Sequence, residues 1–349
     1  MAHSTAQLVI GVDTHADRHV AVALDTLGRH LATASFAASD TGNARLLAWA
    51  CQHGQPVAAG VEGTGSFGYR LARYLLAHGV AVREVNRPDR ARRRRVGTND
   101  PLDAEHAARA VLAGDASAIP KNRDGVVGEL RCLVVARRSA VKARTQATNQ
   151  LRALLVGCDD TIRTRLRPLR KQHLARGCIR LRAAGPAQLA LRSLGRRWLA
   201  LDAEIRELDR EITGLVTRVA PRLLDRHSVG MHPAAQLLIT AGDNPDRLAS
   251  EAAFAALCGT SPVEASSGKT TRLRLNRGGD RQANTALWTI ANTRLIHEPR
   301  TRAYGAKRTA QGKTRMQGNS PMPQALHRPR ALPACPRCPH RVAHTGRLT

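Results

Sequence analysis

The order of β-prone and helix-prone segments in residues 7–85 limits this part of the chain to few folds. Three β-prone runs joined by short polar or glycine-containing links predict an antiparallel meander, after which helix and strand signals alternate. The predicted elements are strands at 7–13, 19–25 and 30–37, a helix at about 41–53, a strand at 55–63, a helix at 66–79 and a strand at 80–85. This order predicts an α/β domain over residues 1–118.

Residues 119–226 are expected to form a helical arm. A long basic helix is predicted over 129–156, and a second helix carries apolar residues in alternating steps of four and three until Pro221. The residues of this seam are Leu194, Trp198, Leu201, Ile205, Leu208, Ile212, Leu215 and Val219. Such a seam packs either on a second copy, as a coiled coil, or within one chain as a helical hairpin.

The remaining residues change character twice. Residues 227–314 are expected to be mainly helical. In HSVGMHPAAQLLITAGD, from residue 227, a glycine turn leads into an apolar helix, as in half of a helix-hairpin-helix or a plain helical turn. Residues 315–349 are Pro-rich and without periodicity, which predicts a disordered tail.

The charge of the chain points to nucleic acid, or secondarily to an anionic membrane. The 55 Lys and Arg residues outnumber the 27 Asp and Glu residues, for a net charge of +28. No apolar run approaches the roughly 18 residues that span a bilayer, so a cytoplasmic protein without membrane contact is expected. Seven scattered cysteines fit a reducing compartment. Aromatic residues are only 3% of the chain, so phosphate contacts are expected to supply most of the affinity for nucleic acid.

Four carboxylates stand where a fold can bring them together. Asp13 and Glu62 each end a predicted strand, and Asp100 and Asp103 begin a predicted helix. Four acids in one pocket repel each other unless divalent cations neutralise them, and two such cations can clamp a phosphodiester. The alternative is structural: Asp100 before Pro101 suits an N-cap, Asp103 suits a capping box, and the other two acids suit turns.

A run of arginines precedes the helical acids. Arg92, Arg93, Arg94 and Arg95 would draw a phosphate backbone toward the carboxylates, or would simply form a solvated loop.

These motifs resemble those of a known family. Asp13 in GVD, Glu62 in GVEGTGS and the Asp100, Asp103 pair in TNDPLDAEHAARAV are similar to the motifs of the DEDD transposases of bacterial insertion sequences, the IS110 family. The resemblance implies an RNase H-like, RuvC-like N-terminal domain whose four acids bind Mg²⁺ or Mn²⁺.

The segment 248–291 resembles the C-terminal transposase domain of the same family, in which a serine before glycine is a nucleophile. Ser267 occupies that place, and Ser266 is its rival. Basic residues that alternate with small or apolar ones, as in an exposed strand, follow it: Lys269, Arg272, Arg274 and Arg277.

The resemblance implies an enzyme that cleaves and rejoins DNA strands in transposition. It also implies donor and target DNA, a structured bridge RNA and a homo-oligomer, dimer or tetramer, held by the coiled coil. Two alternatives are a Holliday-junction-type metal-dependent nuclease that uses the acids alone, and an inactive nucleic-acid-binding remnant. The second is raised by the tail, which turns Pro-rich after Lys313, where the family continues as a helix.

The tail also holds a cysteine and histidine cluster, formed by Cys335, Cys338, His340 and His344. Four such ligands could bind zinc, but their spacing is too short for a usual zinc finger, and an accidental cluster is the alternative.

Overall fold

A computed structural model describes residues 6–85 and 99–312, apart from residues 269, 271 and 275. The chain divides into two compact units, Met1–Asn122 and Arg123–Thr349. Several residues singled out in the sequence lie outside the described part, namely Arg92, Arg93, Arg94, Arg95, Lys269, Cys335, Cys338, His340 and His344.

The first unit is built on a five-stranded sheet in the order β3-β2-β1-β4-β5. The strands are β1 (Gln7–Thr14), β2 (Arg18–Asp25), β3 (His30–Ala37), β4 (Gln55–Glu62) and β5 (Ala81–Val85). The predicted meander is confirmed, because β2 pairs antiparallel with both β1 and β3. β4 then pairs parallel with β1, and β5 parallel with β4.

Helices cover the sheet on both faces. They are α1 (Asp40–His53), α2 (Tyr69–Ala77) and α3 (Asp100–Leu112). The helices α1 and α2 pack on Leu8, Ile10 and Val12 of β1. The alternate residue Val9 packs with Ala104 and Ala108 of α3, so the period of two along β1 supplies apolar residues to both layers.

The second unit is mostly helical. Its helices are α4 (Val126–Val156), α5 (Asp160–Leu166), α6 (Lys171–Ile179), α7 (Pro186–Val219), α8 (Pro221–Leu224), α9 (Met231–Ala241), α10 (Glu251–Leu257), α11 (Arg281–His297) and α12 (Pro299–Ala310). Two short strands, β6 (Val263–Glu264) and β7 (Leu273–Arg274), form a hairpin. The predicted end of the second long helix before Pro221 and the predicted helix after Gly230 are both confirmed.

The long helices α4 and α7 pack on each other within the chain, and the buried line on α7 follows the predicted seam in part. Trp198, Ile205 and Ile212 are buried as expected. Leu201 and Leu208 are only half-buried, whereas Asp202 is buried.

Asp202 can lie on the buried line because its charge is neutralised there. Its carboxylate accepts hydrogen bonds from Arg144 on α4 and from Arg206 on α7, and a buried charge is tolerated when it is paired. Arg144 also stacks over Trp198, 5.5 Å from its ring centre. A period of apolar residues cannot reveal a polar position that is buried through ion pairs.

Five cysteines lie in the described part of the chain, all as free thiols. Burial raises the pKa of Cys178 to about 11 and that of Cys258 to about 12, which fits inert structural thiols. None of the described helices combines the length and apolarity needed to cross a membrane.

Candidate active site

Asp13 and Glu62 lie side by side at the carboxyl edge of the two central strands. β1 and β4 run parallel, and their register pairs Val12 with Val61, so one acid follows on each strand. Neighbouring strands lie about 4.8 Å apart. Both acids are buried, with 4% of Asp13 and 6% of Glu62 exposed.

Two glycines allow helix α3 to lie directly on the face of the sheet that carries these acids. A Cβ atom at Gly11 would stand 1.8 Å from the carbonyl oxygen of Ala104, and one at Gly60 would stand 2.3 Å from that of Ala107. Real Cβ atoms do not approach other atoms so closely. Any side chain at either position would therefore push the helix off the sheet.

The contact at Gly11 brings the start of α3 to the end of β1. Asp100 precedes Ala104 by one helical turn, which is about 6 Å. Asp13 follows Gly11 by two strand residues, which is about 7 Å. Asp100 and Asp13 therefore meet, although 86 positions separate them in the sequence.

Asp100 does not cap its helix, so one structural alternative raised by the sequence is wrong. The N-cap is Asn99, whose side-chain oxygen accepts a hydrogen bond 2.8 Å long from the backbone N–H of Leu102. Asp100 is the first helical residue instead. Its carboxylate is thereby available to groups at the edge of the sheet.

Asp13, His15 and Asp100 form a cluster with the geometry of a metal site. Each offers one ligand atom, and the three atoms lie within 4.8 Å of one another. The Nε2 atom of His15 is 3.1 Å from Oδ2 of Asp13 and 3.5 Å from Oδ1 of Asp100. Carboxylate oxygens suit Mg²⁺ and Mn²⁺, and an imidazole nitrogen is a common ligand of transition metals. The donor set thus fits a divalent cation.

Arg18 completes the cluster on its outer side. Its Nη2 atom donates a hydrogen bond 2.8 Å long to Oδ2 of Asp100. This hydrogen bond is the main cause that lowers the pKa of Asp100 below its ordinary value. Burial opposes it as the second largest effect, and the nearby charges of His15 and Arg18 lower the pKa further.

Sequence reasoning missed His15 and Arg18. The available signal was their position. His15 follows β1 directly, Arg18 begins β2, and both lie within five residues after Asp13. A histidine or arginine in such a link is ordinary in a basic chain, so position alone did not distinguish them.

Glu62 and Asp103 lie outside the three-residue cluster. Asp103 is half-buried on α3. Ala107, one turn after it, contacts Gly60, two residues before Glu62. The spacing sets Asp103 toward the strand end that carries Glu62, and a shared metal site for both remains a prediction.

The loop after β4 fixes the edge of the sheet. The hydroxyl of Thr14 donates a hydrogen bond 2.8 Å long to the carbonyl oxygen of Glu62. The carbonyl oxygen of Gly63 then accepts hydrogen bonds from the backbone of Ser66 and Gly68. The Thr14 bond ties the ends of the two acid-bearing strands together, and the two bonds to Gly63 close the loop.

Ser267 lies in the second unit, at the tip of the β6–β7 hairpin. Ser267 and Thr270 exchange two backbone hydrogen bonds of 3.1 Å around Gly268, whose φ is +56°. The side chain of Ser267 is exposed, and among the described residues its hydroxyl has no hydrogen-bond partner. The Ser266 hydroxyl instead accepts a hydrogen bond from the backbone N–H of Arg272.

The arginines after Ser267 point into solvent on this hairpin and on the segment that follows it. Arg272, Arg274 and Arg277 are all exposed, as expected from the sequence. Leu273 is also 60% exposed. Arg272 and Arg274 are two residues apart and therefore lie on one face of the strand, with Leu273 on the other.

Comparison with known proteins shows the class of protein to which this chain belongs. A family model described as "Transposase", of the DEDD type of IS110, matches residues 10–158. A second, described as "Transposase IS116/IS110/IS902 family", matches residues 220–306. These are two transposase signatures in order along one chain.

The chain belongs to the IS110 family of transposases. It is also 30% identical over 136 residues to "Insertion element IS110 uncharacterized 43.6 kDa protein" of Streptomyces coelicolor. The aligned segment covers 38% of this chain and 33% of that relative, so the chain spans about a third of the length of the curated relative it matches.

Proposed function

We propose that this protein cleaves and rejoins DNA strands during transposition of an insertion sequence. The observation that carries the proposal is the meeting of Asp13 and Asp100 with His15 at the carboxyl edge of the sheet, within 4.8 Å. The match to two transposase family models, in order, supports it.

The first unit acts as an RNase H-like, RuvC-like metal-binding domain. Asp13, Glu62, Asp100 and Asp103 hold Mg²⁺ or Mn²⁺, and His15 is a further ligand. When bound, such cations activate an attacking oxygen and stabilise the charge that develops on the leaving oxygen of a phosphodiester. The buried carboxylates of Asp13 and Glu62 form the rigid part of the site, since both end central strands.

Ser267 is the nucleophile of the second unit. Its hydroxyl oxygen forms a bond to the scissile phosphorus and loses its proton, while the phosphodiester bond breaks and the released DNA hydroxyl takes up a proton. Attack of a DNA hydroxyl on this link restores the serine and rejoins the strands. Both serines are exposed. The engagement of the Ser266 hydroxyl as a hydrogen-bond acceptor favours Ser267 of the two.

Nucleic acid binds through phosphate contacts. The net charge of +28 and the exposed Arg272, Arg274 and Arg277 support such contacts. Lys269 and the run Arg92–Arg95 are proposed to add to them. The partners are donor and target DNA and a structured bridge RNA.

The chain works as a homo-oligomer, dimer or tetramer, through the helical arm. Leu201 and Leu208 belong to the predicted seam of α7 and are only half-buried within the chain. A second arm packed on this line would bury them.

The test is a covalent adduct between the protein and DNA, detected on a denaturing gel with labelled element-end DNA, bridge RNA and Mg²⁺. We expect an adduct with the wild type and with Ser266→Ala, and none with Ser267→Ala. If the wild type cleaves DNA without forming an adduct, and Asp13→Ala does not cleave it, the protein is a metal-dependent nuclease instead. If the wild type and Asp13→Ala process DNA equally poorly, the chain is an inactive binding protein.

A further inference from the structure

The Arg18–Asp100 ion pair lies on the rim of the metal cluster. Arg18 is the first residue of β2, and its side chain is 62% exposed. Its guanidinium bonds Oδ2 of Asp100 at 2.8 Å, while Oδ1 of the same carboxylate faces His15 at 3.5 Å. Both oxygens of Asp100 are thus engaged by groups of the chain.

We propose that Arg18 holds Asp100 while the site is free of metal, and that it passes to a phosphate oxygen of the nucleic acid when a divalent cation binds. The inference rests on the proposed function, because it takes DNA or RNA as the phosphate source.

Competition between Arg18 and the cation follows from charge and geometry. A guanidinium stays protonated in proteins, so its positive charge cannot be removed when a cation approaches. Arg18 is bonded to a carboxylate oxygen of Asp100, and Asp100 is a member of the metal cluster together with Asp13 and His15. Cation and guanidinium therefore repel each other and compete for Asp100.

The released side chain suits a phosphate. Arginine binds planar carboxylates and phosphates through the same paired donors. Arg18 is long and mostly exposed, and it extends from the edge of the sheet at which Asp13 and Glu62 end. A phosphodiester bound at the cations would lie within the reach of such a side chain.

The chain offers a matched control pair. Arg70 bonds Asp40 at 2.6 Å, and Arg70 is 65% exposed, close to the 62% of Arg18. Arg18→Ala and Arg70→Ala each remove one exposed guanidinium of the first unit and its ion pair with an aspartate. Only the first of these aspartates belongs to the metal cluster.

The first experiment measures Mn²⁺ binding to the full chain by electron paramagnetic resonance, without nucleic acid. We expect Arg18→Ala to bind Mn²⁺ about 3- to 10-fold more tightly than the wild type, because the competing charge is gone. Arg70→Ala is expected to equal the wild type. Unchanged or weaker Mn²⁺ binding in Arg18→Ala, with normal binding by the wild type, overturns the inference and leaves the proposed function standing.

The second experiment measures the affinity for a fluorescent DNA duplex by anisotropy, in EDTA and in Mn²⁺. In EDTA, Arg18→Ala and Arg70→Ala are expected to bind alike, because Arg18 is occupied by Asp100. In Mn²⁺, Arg18→Ala is expected to bind about 3- to 10-fold more weakly than Arg70→Ala, with a salt dependence lower by about one phosphate contact. If the DNA affinities of the two variants differ by the same factor in EDTA and in Mn²⁺, the proposed transfer of Arg18 to a phosphate is overturned. A wild type that binds no Mn²⁺ overturns the proposed function and this inference together.

Discussion

At the scale of single residues, the absence of a side chain at Gly11 sets the distance between helix α3 and the sheet. In Gly11→Ala, the added Cβ would meet the carbonyl oxygen of Ala104 at 1.8 Å. Backbone cannot yield as a flexible side chain does, so we expect a loss of about 1–3 kcal/mol in the free energy of unfolding. The displacement of α3 should also weaken Mn²⁺ binding, because Asp100 begins that helix. Urea unfolding and Mn²⁺ titration measure the two effects.

Gly65→Ala is the control, since no atom lies within 4 Å of the Cβ that it would add. It should change stability by less than about 1 kcal/mol and leave Mn²⁺ binding intact. If Gly11→Ala behaves like Gly65→Ala in both measurements, the close seating of α3 does not position the site.

The positions of Asp13 and Glu62 at strand ends could be predicted, because the apolar pattern of a strand and the residue at which it stops can be read from the sequence. The role of Asn99 was harder to predict, because Asn99 and Asp100 are adjacent and both residue types cap helices well. His15 and Arg18 could not be predicted, since their contacts with Asp100 depend on where α3 crosses the sheet.

At the scale of elements, the hairpin of α4 and α7 depends on a buried carboxylate. Asp202 is bonded by Arg144 and Arg206. In Asp202→Asn, both guanidiniums lose a charged acceptor, and we expect the free energy of unfolding to fall by about 1–3 kcal/mol. Glu129→Gln is the control, because its ion pair with Arg218 is 3.9 Å long and exposed on both sides and should contribute less than about 1 kcal/mol. Equal effects in urea unfolding would contradict a structural role for the Asp202 cluster.

Helix α9 packs on the same hairpin and carries His232. We expect this histidine to make the stability of the second unit fall in acid. Although 44% of the His232 side chain is exposed, its partial burial lowers the pKa of His232 below the ordinary value of 6.5; the nearby charge of Arg137 lowers the pKa further, and Asp209 acts in the opposite direction. The unfolded chain therefore takes up the proton first as the pH falls. The stability due to the neutral ring is present above about pH 6.5 and decreases below it.

Thermal unfolding between pH 5 and pH 8 tests this expectation. His232→Gln should show a smaller fall in Tm over this range than the wild type, whereas His297→Gln should follow the wild type, because His297 lies in the last turn of α11. Identical pH profiles for all three chains would show that His232 does not couple acid to unfolding.

The bounds of elements with a clear apolar periodicity were predicted well. Which face of each element is buried was predicted less well. Each strand of the first unit lies within one or two residues of its predicted bounds. The helix α7 was also expected, but its buried line passes through Asp202. An ion pair between helices is a tertiary property, and a hydrophobic period does not encode it.

At the scale of the whole molecule, residues distant in sequence supply one chemistry. Asp13 and His15, at the end of β1, meet Asp100 because helix α3 lies against Gly11 of the same strand. Basic charge is spread along the chain and accompanies these acids. The sequence pattern could predict the class of protein, because its motifs keep their order, while the contacts within the site required the fold.

The most direct test of the shared metal site is Mn²⁺ affinity in Asp103→Asn compared with Glu105→Gln. Both acids lie on α3, but Glu105 bonds Arg109 at 2.7 Å on the same helix. If Asp103 is a ligand, Asp103→Asn should weaken Mn²⁺ binding by about 10-fold or more, and Glu105→Gln should leave it unchanged. Equal Mn²⁺ affinity in Asp103→Asn and the wild type would contradict a site shared by the four acids.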